Sequence, residues 1–409
     1  MDKLALLGGN PSIETPFPQW PVFGQQEQEA LVETLNSGQW DKDNSVVKSI
    51  EQEFAHFQGC KYGLVVTNGT HTLEIILRGL GIGAGDEVIV PAYTFVATAS
   101  AVIMVGAKPI LVDVCPQTMT LDPAAFEQAI TPKTKAVMVV HLGGVIGHID
   151  DILQIAQKHE IQVIEDAAHA HGSTAKGRLA GSLGIAGSFS FQASKTITSG
   201  EGGAIVTNNQ KLFHKCWTLI NCGRRLGESL GKYYEAGSNC RMTAFQAAIL
   251  SSQLKRFKVQ VPQRLHNIKT LDDALSQIKG ITPQHRPVNV DAPGYLYIFY
   301  YDSTAFNHLP RRLFVEALRA EGIPSLISAY PPIHKTGIFK DEQLKFPNTE
   351  RIAAQTVWIR HRVFLGTSQQ IEGISQAIEK IQTHSYKLNN MANTLVLGSA
   401  AIQKKLNLI

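Results

Sequence analysis

Lys195 is the residue in this chain best placed for covalent chemistry. It lies in Ser188-Phe189-Ser190-Phe191-Gln192-Ala193-Ser194-Lys195-Thr196-Ile197-Thr198-Ser199-Gly200-Glu201-Gly202-Gly203-Ala204, just past a short aromatic-apolar run and ahead of three glycines within four residues. The pattern reads as a strand, a glycine turn and a second strand beginning at Ala204-Ile205-Val206-Thr207. A protonated amine is a poor nucleophile, so a lysine used covalently needs a tight, partly desolvated place, which strand ends and glycine turns provide. A lysine in a loop is ordinarily a solvated surface group, so the argument rests on the residues that accompany this one.

Asp166 is the first of them. It stands at the end of the apolar strand that opens the run Ile161-Gln162-Val163-Ile164-Glu165-Asp166-Ala167-Ala168-His169-Ala170-His171-Gly172. A carboxylate emerging from a buried strand needs a cationic partner, and the protonated nitrogen of a pyridine ring is one. The second is the unit Gly63-Leu64-Val65-Val66-Thr67, then Asn68-Gly69-Thr70, then a helix from Thr72-Leu73-Glu74. A strand that turns through glycine and hydroxyl into a helix N-terminus offers free backbone N–H groups and a positive dipole end, which suit a phosphate, although alone it signals only an N-cap. Tyr93 and Phe95 follow the strand Asp86-Glu87-Val88-Ile89-Val90-Pro91, where an aromatic ring could cover a planar ligand. A metal reading of His169 and His171 lacks the Asp, Glu or Cys cluster at ligand spacing that would complete it. A flat ring needing a carboxylate, a phosphate needing a helix N-terminus and an aldehyde needing a lysine together describe pyridoxal 5′-phosphate.

The elements that must position these groups follow from the same periodicity. Apolar strands of five or six residues, including Pro109-Ile110-Leu111-Val112 and Ala136-Val137-Met138-Val139-Val140, alternate with helical patterns. That describes an α/β fold with a mostly parallel sheet covered on both faces, whose ligands lie beyond the carboxyl ends of the strands. The chain has 409 residues with 44% hydrophobic and 18% charged, ordinary for a globular protein with one large and one smaller domain. Its net charge of +4 is small and its Lys and Arg are scattered, which gives no support to a nucleic-acid partner. The five cysteines lack paired metal-ligand spacing and read as reduced thiols of a cytoplasmic protein. The N-terminal apolar run is too short for a signal peptide and no window suits a membrane helix.

In order, Thr67-Asn68-Gly69-Thr70, Pro91-Ala92-Tyr93-Thr94-Phe95, Glu165-Asp166-Ala167-Ala168-His169 and the run from Ser188 through Lys195 to Gly203 resemble the DegT/DnrJ/StrS-type aminotransferases, over nearly the whole chain from Gly8 to about residue 383. The resemblance implies fold type I, with a seven-stranded sheet in the large domain, and transfer of an amino group from L-glutamate or L-glutamine to a keto sugar or keto cyclitol. It implies Lys195 as the Schiff-base lysine, Asp166 as partner of the pyridinium nitrogen, and Phe95 as the ring stacked on the cofactor. Gly69, Thr70 and Ser190 would hold the phosphate, and His169 would lie near the 3′-oxygen. Asn239, in Gly237-Ser238-Asn239-Cys240-Arg241, matches an asparagine that reaches the phosphate of the other subunit, which implies a homodimer. Tyr330 and His334, in Ala329-Tyr330-Pro331-Pro332-Ile333-His334-Lys335, are candidate substrate contacts.

Where most sugar aminotransferases of the family have histidine, this chain has Cys222-Gly223-Arg224. With Phe191-Gln192, His169-Ala170-His171 and Tyr330-Pro331-Pro332, that resembles the branch of inosose aminotransferases and 3-amino-5-hydroxybenzoate synthases. Two other readings share the cofactor: a dehydratase and aromatase like the latter enzymes, and a non-catalytic regulatory protein. The expected division is a proline-rich extended arm over 1–24, a large cofactor-binding domain over 25–260, a small α+β domain over 261–389 and a tail over 390–409. Helices are expected over 243–258 and 262–279, with a strand over Tyr295–Tyr301.

Overall fold

The computed structural model describes residues 3–228, 231–327, 330–339 and 343–396. Seven strands form the main sheet in the order β1-β9-β8-β5-β4-β2-β3. They are β1 (Tyr62–Val66), β2 (Glu87–Pro91), β3 (Lys108–Val112), β4 (Thr134–Val140), β5 (Gln162–Asp166), β8 (Ala186–Ser190) and β9 (Gly203–Thr207). Only β9 runs antiparallel to its neighbours, β1 and β8; the other pairings are parallel. The short strands β6 (Thr174–Ala175), β7 (Arg178–Leu179) and β11 (Val290–Asp291) make a separate ribbon.

Alternation along each strand divides the apolar residues between two cores. Leu64, Val66, Val88, Val90 and Met138 face α3 (Gly69–Gly79), α4 (Ala97–Met104) and α7 (Gln210–Ile220). Val65, Ile89, Val137, Val139 and Phe189 face the other side, with α2 (Ser45–Phe57), α5 (Pro123–Gln128), α6 (Ile149–Lys158) and α8 (Ala244–Leu275). The first helix, α1 (Gln25–Asn36), lies along α8.

A four-stranded antiparallel sheet, β10-β12-β14-β13, forms the second unit. Its strands are β10 (Ile281–Pro283), β12 (Leu296–Tyr301), β13 (Ser325–Ile327) and β14 (Thr356–Arg360), and it is accompanied by α9 (Arg311–Ala320), α10 (Pro347–Gln355) and α11 (Ser368–Val396). One helix, not the two expected, runs from 244 to 275 with Pro262 inside it. Proline in a helix interior costs about 3 kcal/mol. Leu250, Leu254 and Phe257 are buried in the large core and Ile268, Leu271 and Leu275 in the small one, enough burial to offset that. The division expected at 260/261 therefore falls inside one continuous helix.

The N-terminal arm is not extended throughout, since Ala5–Leu7 form a 3₁₀ turn, and it packs on its own chain: Leu4, Ile13 and Phe17 are buried in the small core. The start of the expected tail is helical to Val396; its remainder, 397–409, lies outside the described residues. All five cysteines are free thiols. No described helix is long and apolar enough to cross a membrane.

Glu321 ties the arm down. Its buried carboxylate accepts from Ala5 N–H (2.8 Å), Ser12 N–H (2.8 Å), Ser12 Oγ (2.9 Å) and Lys380 Nζ (3.0 Å). Burial alone raises its pKa, but these bonds outweigh it and hold the carboxyl below the usual glutamate value of 4.5. A carboxyl whose folded pKa is depressed contributes stability above its unfolded pKa and loses it as pH falls through the folded value. Glu321→Gln is expected to cost roughly 2–3 kcal/mol at pH 7. Thermal unfolding should show the gap between wild type and variant closing below pH 4.5; a gap independent of pH would contradict the assignment.

Candidate active site

Strand register draws the sequence-selected residues to one edge. Val140 pairs with Asp166, Asp166 with Ser188, Ser190 with Gly203 and Gly203 with Val66, a row across five strands at the carboxyl ends of β1, β4, β5 and β8. Two of these positions require glycine. A Cβ on Gly203 would lie 2.6 Å from the Asn68 backbone, and one on Gly69 would lie 2.8 Å from Ser190 Cβ. The turn after β1 can thus approach β8 and β9 only because neither position carries a side chain.

Beyond this edge is a cavity of about 680 Å³ lined by Gly69, Thr70, Phe95, Asp166, His169, Ser190, Lys195 and Tyr330, and also by Tyr295 and Gln192. Lys195 is 8% exposed, and its Nζ lies 4.2 Å from the centroid of the Tyr295 ring. Burial pushes its pKa down from 10.5 to about 8, with Asp166 pulling the other way. Asp166, also buried, accepts from Thr98 Oγ1 (2.8 Å) and from Ala168 N–H (3.3 Å). Its pKa is raised by burial, against those bonds and the charge of Lys195. It makes no ion pair among the described residues, so a cationic group in the cavity is what this carboxylate lacks. Glu165 points to the other face, where it accepts from the N–H groups of Gly181, Leu183 and Gly184 and lies 2.9 Å from His141 Nε2.

At the opposite end of the cavity is the N-terminus of α3. Asn68 caps it by accepting from His71 N–H at 2.8 Å, which leaves the first-turn N–H groups of Gly69 and Thr70 for an anion. With Ser190 beside them, this end fits a phosphate and the Asp166 end a protonated ring nitrogen. Phe95, half exposed, has its ring 5.4 Å from that of Tyr330 across the cavity mouth. His169 is held by two groups. Gly143 N–H can only donate, and does so to Nδ1 at 3.3 Å, so Nε2 carries the hydrogen toward Tyr330 Oη at 3.2 Å. Burial, together with Lys195 and His171, keeps His169 far below its usual pKa and therefore neutral. His171 is directed elsewhere, with Nδ1 3.2 Å from Thr196 Oγ1, and no group of three potential ligands among the described residues could hold a metal.

Two expected residues are not brought into the cavity. His334 is buried at 6% exposure with Nε2 3.1 Å from Glu350 on α10 and its ring edge-on to Phe346, and it is not among the residues that line the cavity. Asn239 is exposed and bridged through its backbone to Asn221, outside the cavity of its own chain. Of the remainder of the expected substrate loop, Ala329 lies outside the described residues. Sequence reasoning missed Thr98 and Tyr295. Thr98 was detectable, since a hydroxyl one turn past Thr94 on the helix after β2 faces the end of β5. Tyr295 carried no local signal, because it reaches Lys195 from the start of the small sheet.

Residues 21–379 match the model of the DegT/DnrJ/EryC1/StrS aminotransferase family. The chain is 34% identical to the L-glutamine:2-deoxy-scyllo-inosose aminotransferase of Streptoalloteichus tenebrarius over 426 residues, covering 94% of this chain and 99% of that one. It is 35% identical to the 3-amino-5-hydroxybenzoate synthase of Amycolatopsis mediterranei over 375 residues, covering 88% and 96%. A crystal structure of 3-amino-5-hydroxybenzoic acid synthase superposes with a TM-score of 0.84 at 34% identity, covering 90% of this chain and 99% of that one.

Proposed function

The chain belongs to the DegT/DnrJ/EryC1/StrS aminotransferase family and is a pyridoxal 5′-phosphate-dependent aminotransferase, and from that premise we propose that it moves the amino group of L-glutamine to a keto cyclitol of the inosose class. The observation that carries the choice of substrates is the near full-length likeness to an enzyme named for that donor and acceptor. The polar lining of the cavity, with Gln192, Ser194, His169 and Tyr330, suits a polyhydroxylated ketone.

The cofactor, when bound, supplies an aldehyde that takes up the amino group and a ring that accepts the electron pair left by the departing α-proton. Lys195 would hold it covalently, and its free amine, partly neutral near pH 7, would take the α-proton from the donor. Asp166, fixed by Thr98 and the Ala168 N–H, keeps the ring nitrogen protonated. Phe95 would cover the ring, Gly69, Thr70 and Ser190 would bind the phosphate, and His169 would lie near the 3′-oxygen. Asn239, on an exposed segment, completes the phosphate site of the partner in a homodimer.

The test is to supply the purified protein with cofactor, then L-glutamine or L-glutamate, then 2-deoxy-scyllo-inosose, following the visible cofactor band and the product mass. L-Glutamine is expected to shift the band and the ketone to restore it with formation of an amino cyclitol. A band that neither donor moves would refute the proposal. A product that has lost water and become aromatic would place the chain with the 3-amino-5-hydroxybenzoate synthases.

A further inference from the structure

The two carbonyls immediately before Lys195 are each held by a side chain from a remote part of the chain. Trp20, on the N-terminal arm, donates its Nε1–H to the Ala193 carbonyl at 3.0 Å. His361, just after β14 of the small sheet, has Nε2 3.0 Å from the Ser194 carbonyl. A carbonyl oxygen only accepts, so Nε2 must carry the hydrogen. His361 Nδ1 lies 3.4 Å from Arg264 Nη1, and a guanidinium only donates, so Nδ1 must be bare. The two constraints come from different elements and select the same tautomer. Burial, with the charge of Arg264 next, keeps the imidazole neutral, far below its usual pKa.

Arg264 is unusual in its own right. It is fully buried on α8 near the rings of Trp20 and Phe257, hydrogen-bonded to Gln260 and His361, with no carboxylate partner among the described residues. A buried cation without an acid is costly, and an apolar residue would serve packing better. The rings continue toward the reacting amine. Trp20 meets His361 edge-on at 4.4 Å, His361 stacks on Tyr295 at 5.9 Å, and Tyr295 lies beneath Lys195 Nζ while its hydroxyl is 2.7 Å from Ser194 Oγ.

We propose that His361, in the tautomer set by Arg264, is a positioning residue that with Trp20 holds the Ala193–Ser194 peptide so that the Lys195 amine stays over the Tyr295 ring inside the cavity. The arm and the small sheet thus determine the aim of a lysine anchored on the large sheet. This rests on Lys195 being the reacting amine, and the test separates the two ideas, because amine reactivity reads the position of Lys195 whether or not that residue performs the chemistry.

Three full-length variants are compared with wild type. The amide nitrogen of glutamine reaches the position of an imidazole Nε2, whereas that of asparagine stops short, at Nδ1. His361→Asn is expected to lower kcat roughly tenfold, with KM for the donor within about twofold, and His361→Gln to recover most of that loss. In the cofactor-free chain, the pH midpoint for labelling Lys195 with an amine-reactive reagent, read by peptide mass, should sit at about 8 in wild type. It should rise by about one unit in His361→Asn, as water reaches the freed amine, and stay put in His361→Gln. Trp20→Phe, which keeps a ring against His361 and removes only the indole N–H, should move both readings in the same direction by a smaller amount. Equal kcat and equal midpoints in the Asn and Gln variants would overturn the proposal. If His361→Asn does not fold, a Trp20→Phe protein indistinguishable from wild type in kcat and midpoint overturns it instead.

Discussion

Lys195→Ala is expected to reduce transamination by about 10⁴-fold or more, the scale of loss when one side chain serves both as covalent anchor and as proton carrier. The site explains why no neighbour can substitute for it. His169 is neutral but its Nδ1 is occupied by Gly143 and its hydrogen faces Tyr330, and Tyr295 is committed to Ser194 with burial raising its pKa. The depressed pKa gives the prediction a second arm. At pH 7 a lysine with a pKa of about 8 is neutral in roughly one molecule in ten, against about one in 3,000 for an ordinary lysine near 10.5. The acid limb of kcat in the wild-type enzyme should therefore have its midpoint near pH 8. Borohydride treatment followed by intact-mass measurement should leave the cofactor on the wild-type chain and none on the alanine variant. Turnover by Lys195→Ala within tenfold of wild type would remove this residue from the mechanism.

The parts of this site that were legible in the sequence are those whose chemistry is local. The strands β2 and β4 of the large sheet are buried almost throughout and so read as short apolar runs, and Asp166 stands out because it closes the buried Val163-Ile164 strand with a charge. Gly203 and Gly69 are required by the close approach of their neighbours and Gly200 by its positive φ, which residue type reveals directly. What could not be read depends on where the chain returns. Tyr295 meets Ser194 across 101 positions and His361 meets it across 167, and nothing in either neighbourhood encodes that meeting. The unbroken helix across Pro262 was hidden for a related reason. Proline reads locally as a break, whereas two cores, one at each end of α8, stabilise its continuation. The contact of His334 with Glu350 on α10 was likewise hidden, because a histidine in a loop gives no local sign of the carboxylate it will meet.

Asp166→Asn is expected to lower the rate by about 10³-fold while leaving the fold intact. The substitution keeps the size of the side chain and removes the charge; its single oxygen can still accept from the Ala168 N–H, while the Thr98 hydroxyl, which bonds the other carboxylate oxygen, can turn to accept from the new amide nitrogen. What is lost is the anion that keeps a ring nitrogen protonated in a place where water cannot help. Breaking a buried ion pair from one side costs about 3–5 kcal/mol, which corresponds to the predicted factor at roughly 1.4 kcal/mol per decade. Thr98→Val separates charge from orientation. It retains the carboxylate but removes its shorter hydrogen bond, and a loss of about tenfold is expected, one bond's worth of alignment. The order of effects is the informative result. If charge is what matters, Asn must be much worse than Val, and both must act on kcat more than on the unfolding temperature. Should Thr98→Val equal or exceed Asp166→Asn, the carboxylate would be an architectural group at the end of β5, and the partner of the ring nitrogen would have to be sought elsewhere in the cavity.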